Sequence, residues 1–253
     1  MCRLIAKLGA LFGWLAEGLV YVPDVEPSPM KNAAVGAIVR TIDRRPPWIV
    51  VDDSIDSIVV AKWPGRVWRV EILDKASEQP LPHAHYTRAH AVRVLEEVPA
   101  PILFGAHGDA VCEVIERARR ITLEDVVQIG AVVPPDAPET YSSAWKRWIE
   151  ETLPGSPHRG LDHFHTLAIP SDYRTRSPIG HGFTVLYSAL SDRARELVGE
   201  AAFLVDEEGD VSFTPEWAVV CEAFLHAAMA FRAPELMPVA DRDLLIAAFR
   251  HVC

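Results

Sequence analysis

The stretch WIVVDDSIDSIVVAKWPGRVWRVEILD, residues 48–74, decides the fold class because it concentrates Val, Ile and Trp in short runs. Runs of β-branched and aromatic residues that partly alternate with polar ones are typical of strands. Three strands are predicted here, over residues 48–53, 57–63 and 66–74. The turn sequence WPGR at residues 63–66 joins the last two, so residues 57–74 are predicted to form an antiparallel hairpin.

Side chains on a strand alternate between its two faces, which divides the third predicted strand into two sets. Trp68, Val70 and Ile72 form one set, and its apolar character predicts that it faces the core. The other set mixes apolar and charged residues: Val67, Arg69, Glu71 and Leu73. The next run, residues 88–98, is ambiguous between strand and helix, and residues 100–105 are predicted to be a short buried strand.

The first part of the chain carries helical rather than strand periodicity. Leucines recur at the spacing of one helical face, at Leu4, Leu8, Leu11 and Leu15. This spacing predicts an amphipathic helix packed on the core. The apolar run is shorter than the roughly 20 residues of a membrane span, and no cleavage-site pattern follows it. A second helix is predicted over residues 30–42.

Helices dominate the remainder of the chain, with one more hairpin among them. They are predicted over residues 108–120, 122–133, 141–153, 183–199 and 215–231, and from Asp241 to the end. Thr122 is the predicted N-cap of its helix, and the sequence TPE at residues 214–216 combines an N-cap, an N1 proline and an early acid. The hairpin spans residues 201–213 and closes on the sequence EGD at residues 208–210.

These elements predict an α+β protein in which antiparallel hairpins pack with several helices and the C-terminal half is rich in helix. The proline-rich residues 132–139 interrupt both helix and sheet, so they are the predicted linker. The predicted regions are residues 1–135, with the hairpin 57–74, and residues 136–253. A length of 253 residues also fits one continuous domain.

The net charge of −10 is concentrated in the second half of the chain. Residues 1–135 hold 15 basic and 17 acidic side chains, whereas residues 136–253 hold 10 basic and 18 acidic ones. Nucleic acids and anionic membranes bind clustered positive charge, so the sequence argues against both as partners. An acidic surface favours a basic protein partner instead.

Two acidic clusters are the predicted partner-binding residues. The first follows a predicted strand and comprises Asp52, Asp53 and Asp56. The second forms the tip of the C-terminal hairpin and comprises Asp206, Glu207, Glu208 and Asp210. Carboxylates in such places are commonly solvated turn residues, and the alternative is that they steer a basic protein into a complex.

Six of the ten histidines fall in two short stretches, which raises the alternative of a metal site. His163 and His165 would point to the same side of a strand, which is the geometry of a metal-ligand pair. His83, His85 or His158 would have to complete such a site. These histidines are not part of any established metal-binding sequence motif. The sequence therefore predicts no cofactor, with a divalent transition metal as the alternative.

The four cysteines, Cys2, Cys112, Cys221 and Cys253, form no CxxC pair. Cys112 and Cys221 fall within predicted helices, where a free cysteine behaves as a small buried apolar residue. A disulfide framework is therefore not expected, and the predicted location is the reducing cytoplasm.

The sequence favours a binding protein over an enzyme because it contains none of the common nucleotide-binding, hydrolase or metalloprotease motifs. The leading hypothesis is a cytoplasmic module that acts by occupying a basic partner, as bacterial immunity proteins neutralise a cognate toxin. A metal-dependent hydrolase that uses His163 and His165 is one alternative. Another is a structural or regulatory subunit, which an exposed apolar face on the N-terminal helix would favour.

Overall fold

The structure is a computed structural model that describes residues 16–25, 27–81, 84–152, 179 and 181–252. The chain divides into two compact units. Unit 1 comprises Met1–Ile58 and Pro64–Ala100, and unit 2 comprises Val59–Trp63 and Pro101–Cys253. Residues 135 and 136, at the boundary between the predicted regions, both lie in unit 2.

Unit 1 is an antiparallel sheet that closes on itself. Its strands are β1 (Glu17–Pro23), β2 (Ile38–Arg40), β3 (Ile49–Asp52), β4 (Gly65–Lys75) and β5 (Tyr86–Val98). The long strand β5 pairs with β2, β3 and β4, and β1 pairs with β3 and β4. Trp68, Val70 and Ile72 are buried in the core of this sheet, as predicted.

The predicted hairpin over residues 57–74 is wrong. The chain forms a short 3-10 helix at Ile55–Ser57 and has no strand from residue 58 to residue 63. β4 pairs instead with β1 along the whole length of β1, and with β5. Buried and more exposed side chains alternate along β1, with Val20 and Val22 in the core. This alternation suits a strand that has one face on the core, so β1 can pair with β4 although the two are distant in sequence.

Two further predictions in the first part of the chain are wrong, and one lies outside the described residues. The N-terminal helix predicted from Leu4, Leu8, Leu11 and Leu15 falls on residues that the structure does not describe and stays a prediction; the strand β1 follows at Glu17–Pro23. The predicted helix over residues 30–42 is wrong, because Gly36 takes a positive φ of 84° and the following residues pair with β5. Residues 100–105 are not a strand but contain the 3-10 helix Ala100–Phe104, since a short apolar run fits either structure.

Unit 2 is mainly helical, which with the sheet of unit 1 confirms the α+β class. Its elements are α1 (Gly108–Ala118), α2 (Leu123–Val132), α3 (Ala137–Thr152), α4 (Gly182–Val198), β6 (Phe203–Val205), β7 (Val211–Phe213), α5 (Pro215–Arg232) and α6 (Val239–Ile246). The central helix is α5, which is buried along most of its length and contacts each of the five other α-helices that the structure describes. The predicted last helix is shorter than expected, because α6 ends at Ile246 and a 3-10 helix follows.

The short segment Val59–Trp63 belongs to unit 2 although unit 1 flanks it on both sides in sequence. Lys62 Nζ donates hydrogen bonds to Ser188 Oγ at 2.9 Å and to Asp192 Oδ2 at 3.0 Å. Trp63 packs edge-on against Phe104, with ring centroids 5.1 Å apart. The segment is therefore a fixed part of the second unit.

Both described cysteines are unpaired, and they lie on helices of unit 2. Burial raises the pKa of Cys112 to about 12, with nearby acids adding to the effect. Burial likewise raises the pKa of Cys221 to about 12. These thiols are therefore protonated at neutral pH and are poor nucleophiles.

Within the part of the chain that the structure describes, no helix combines the length and the apolar character that a membrane crossing requires.

Replacing Thr122 with Ala is expected to lower the free energy of unfolding by about 1–2 kcal/mol. Thr122 Oγ1 accepts a hydrogen bond from the Asp125 backbone N–H at 3.2 Å. The Asp125 carboxylate accepts one from the Thr122 backbone N–H at 2.8 Å. The substitution leaves a donor at the start of α2 without its acceptor. Urea unfolding followed by far-ultraviolet circular dichroism measures the loss.

The matched control is Thr214→Ala at the start of α5, where the threonine side chain makes no capping hydrogen bond. This variant is expected to cost less than half as much as Thr122→Ala. Equal losses in the two variants would contradict the role assigned to the Thr122 side chain.

Candidate functional site

The C-terminal hairpin of unit 2 has an ordered acidic tip. β6 and β7 pair from Phe203 and Phe213 to Val205 and Val211, as predicted. At the turn, the Asp206 carboxylate accepts hydrogen bonds from the backbone N–H groups of Glu208 at 3.1 Å and Asp210 at 2.8 Å. The tip acids Asp206, Glu207, Glu208 and Asp210 are all exposed. The loop therefore presents four carboxylates from a fixed backbone.

Three large apolar side chains stand next to these acids on the same hairpin. Leu204 is 52% exposed, Val205 is 67% exposed and Val211 is 49% exposed. Together with the four tip acids they form what we call the hairpin surface. Val205 and Val211 are paired across the strands and share one face of the hairpin, whereas Leu204 lies on the opposite face. Exposed apolar residues bordered by charge are typical of a protein-binding surface.

Aromatic packing anchors the base of the hairpin, on the face that also carries Val205 and Val211. The ring of Phe213 lies 5.3 Å from that of Phe203, 5.0 Å from that of Tyr187 on α4 and 6.5 Å from that of Trp217 on α5. The Arg195 guanidinium lies 4.4 Å above the Phe203 ring. The hairpin is thus held to two helices, and its outer residues are presented on a rigid support.

An apolar groove of about 490 Å³ adjoins the hairpin surface. Its lining includes Phe203 and Val211 of the hairpin and Phe183 and Tyr187 of α4. The Phe183 and Tyr187 rings are stacked, and these residues are 41% and 37% exposed. The groove therefore extends the exposed apolar area of the hairpin onto α4.

Paired charges border the groove. Lys62 binds Asp192 and Ser188 as described above, and Arg195 Nε lies 3.4 Å from Glu200 Oε1. The groove is therefore bordered by two ion pairs, Lys62 with Asp192 and Arg195 with Glu200.

The first predicted acidic cluster lies in unit 1, and its members differ in exposure. Asp53 and Asp56 are exposed, whereas Asp52 is buried at the end of β3. Burial, with a smaller contribution from the Asp53 charge, raises the pKa of Asp52 to about 7. Asp52 therefore contributes only part of a negative charge at neutral pH and cannot contact a partner directly.

The structure describes few of the residues of the alternative metal site. His83, His158, His163 and His165 lie outside the described residues. His85 is exposed, and neighbouring His90 is buried with its Nδ1 3.2 Å from Thr41 Oγ1. Among the residues that are described, no three His, Cys, Asp or Glu side chains are grouped so as to hold a metal ion. The metal hypothesis for His163 and His165 stays a prediction.

Sequence reasoning identified the acidic tip but missed the aromatic part of the groove. Phe183 is 41% exposed and stacks on Tyr187 one turn later. Two aromatic residues four positions apart on one predicted helix were the available signal.

No family model, curated protein or solved structure matches the chain.

Proposed function

We propose that the protein is a binding module that docks a basic protein partner on the hairpin surface. The observation that carries the proposal is the direct juxtaposition of the exposed Leu204, Val205 and Val211 with four exposed carboxylates at the hairpin tip. Protein interfaces commonly combine an apolar centre with a polar rim. The apolar residues would supply buried area, and the acids would select positive charge.

The hairpin is already ordered in the absence of a partner, which supports this function. Its turn is held by hydrogen bonds from backbone N–H groups to the Asp206 carboxylate, and Phe213 at its base packs against Tyr187 and Trp217. A partner therefore meets a preformed surface and does not have to order a loop on binding. The adjoining groove provides room for an apolar side chain of the partner.

The most concrete form of this function is that of a bacterial, cytoplasmic toxin-neutralising protein of the immunity type. The support is the net charge of −10, together with the acidic hairpin tip. A toxin that acts on nucleic acid or nucleotides commonly carries a basic active surface. Binding an acidic protein over that surface would block it without any chemistry, so no catalytic residue is required.

Reversing two charges at the hairpin tip, with Glu207→Lys and Glu208→Lys together, is expected to slow partner association by about three- to tenfold at low salt. Both side chains are exposed, so the change removes attraction without disturbing the fold. Partners are isolated with the wild-type protein from extracts of the cells that produce it. Association rates of the purified pair are then measured by surface plasmon resonance at several salt concentrations.

The matched control reverses the exposed acids Glu78 and Glu235, which gives the same net charge at other places on the surface. An equal effect of the two double variants would remove the hairpin tip from the interface. Failure of the wild-type protein to retain any basic partner in a 1:1 complex would overturn the proposed function. The toxin-neutralising form requires, in addition, that expression of the partner arrests growth and that co-expression of this protein relieves the arrest.

A further inference from the structure

A second cavity of unit 2, about 340 Å³ in volume, lies between α3 and α5. It falls within the size range of small-molecule sites. Helix α3 contributes Tyr141, Ser142 and Lys146 to its wall, and α5 contributes Glu222, Leu225 and His226. None of the residues that line it belongs to the hairpin surface or to the groove, so it is a separate site.

The cavity contains a carboxylate that no described residue neutralises. Glu222 is half-buried, and among the described residues no cation or hydrogen-bond donor pairs with its side chain. Burial raises the pKa of Glu222 above its ordinary value. A desolvated carboxylate without a counter-ion is costly to the folded protein, and a bound cation would relieve that cost.

Two buried rings stand near Glu222 in the same wall. The ring centroids of Tyr141 and His226 lie 4.7 Å apart, and the planes are tilted by 48°. Tyr141 is 2% exposed and His226 is 3% exposed, so both rings are held rigidly. An aromatic face beside a carboxylate is a favourable environment for an organic cation, which gains from both the charge and the ring quadrupole.

The mouth of the cavity carries charges of both signs. Glu139 and Lys146 both line the cavity, and both residues are exposed. They leave the rim without a strong net charge, whereas the interior has the Glu222 carboxylate. The interior of the cavity therefore determines the charge of the ligand, and it favours a positive one.

We propose that this cavity binds a small molecule carrying an amine or guanidinium group, with the cation on the Glu222 carboxylate beside the Tyr141 ring. Leu225 provides an apolar wall for the carbon chain of the ligand. The buried Tyr141 and His226 rings restrict the depth of the site, so a slender aliphatic cation fits this chemistry better than a bulky one. This binding activity is independent of the proposed protein partner.

Agmatine, an aliphatic chain with an amine at one end and a guanidinium at the other, is the probe for isothermal titration calorimetry with the whole protein. Saturable 1:1 binding is expected with the wild-type protein. Glu222→Gln is expected to weaken that binding by about tenfold or more, because it removes a charged hydrogen-bond acceptor. The substitution is nearly isosteric, and circular dichroism checks that the variant is folded.

The matched control is Glu216→Gln, which removes an exposed acid from the first turn of the same helix. It is expected to leave agmatine binding unchanged. No saturable agmatine binding in the millimolar range, or equal weakening by the two variants, would overturn the proposal. Neither result would bear on the hairpin surface, whose test uses a protein partner.

Discussion

Replacing Asp52 with Asn is expected to raise the free energy of unfolding of unit 1 at pH 8 by about 3 kcal/mol. The Asp52 residue is only 8% exposed, and among the described residues none donates a hydrogen bond to its carboxylate or pairs with it. At pH 8 the folded sheet must hold this group as a buried anion, beside the negative charge of Asp53. The amide of Asn removes that charge at nearly the same volume.

The direction of the pH dependence follows from the raised pKa. The pKa of Asp52 is about 7 in the folded protein, against an ordinary value of 3.8. Between these values the folded chain retains a proton that the unfolded chain has released, so stability falls as pH rises. The penalty is full above about pH 7 and disappears near pH 4, and the advantage of Asp52→Asn is expected to shrink in the same way.

Hydrogen exchange measured by mass spectrometry gives the stability of the sheet separately from that of unit 2, because it reports on individual peptides. Peptides from β3, β4 and β5 are compared at pH values from 5 to 8 after correction for the intrinsic exchange rate. The control, Asp53→Asn, removes an exposed charge and is expected to produce a much smaller gain. A variant Asp52→Asn no more stable than the wild type at pH 8 would show that the buried carboxyl carries no such penalty.

Replacing Gly108 with Ala is expected to destabilise unit 2 by more than about 3 kcal/mol. A Cβ atom at residue 108 would lie 1.8 Å from the backbone carbonyl oxygen of Pro101 and 2.6 Å from its carbonyl carbon. The atoms that it would overlap belong to the backbone of Pro101, so no side-chain rotation can relieve the overlap. Either α1 or the 3-10 helix before it must shift. Chemical denaturation followed by circular dichroism measures the change.

Gly130→Ala provides the matched control for this substitution. Gly130 lies inside α2, and a Cβ atom there would meet no heavy atom within 4 Å. Alanine is the better helix former, so this variant is expected to gain about 0.5–1 kcal/mol. If the two alanine variants were similar in stability, the close approach of Gly108 to Pro101 would not be a feature of the folded protein.

Local sequence signals predicted the helices and the hairpin of unit 2 well. The N-cap at Thr122, the proline at residue 215 and the polar turn before Asp210 each act within a few residues of their own position. Such signals depend little on the rest of the fold. They were sufficient to place the acidic tip on a hairpin, and so to identify part of the candidate surface.

The closed sheet of unit 1 depends on pairing between distant segments, which local signals do not contain. Residues 17–23 follow a leucine repeat with helical spacing, yet they become β1 because β4 offers them a complete ladder. The burial of Asp52 is a consequence of the same closure. From sequence alone, an acidic residue at the end of a strand is predicted to be exposed.

The two cavities could not be predicted for the same reason. The groove joins residues from the segment around Lys62, from α4 and from the hairpin, and the second cavity joins α3 to α5. Helical periodicity shows that Tyr141 and Glu222 lie on helices, but it does not show which helices are neighbours. Only the packing of α5 brings Glu222 and Tyr141 to one wall.

The placement of Val59–Trp63 in unit 2 has a consequence for the order in which the protein is made. Synthesis delivers these five residues before β4 and β5 exist, yet their partners Phe104, Ser188 and Asp192 follow much later. Domains generally fold as units during translation. The sheet of unit 1 can therefore form before the helices that contact Val59–Trp63 have been synthesised. Unit 2 can therefore fold completely only after α4 has been synthesised and has packed against Val59–Trp63, a segment that was synthesised much earlier.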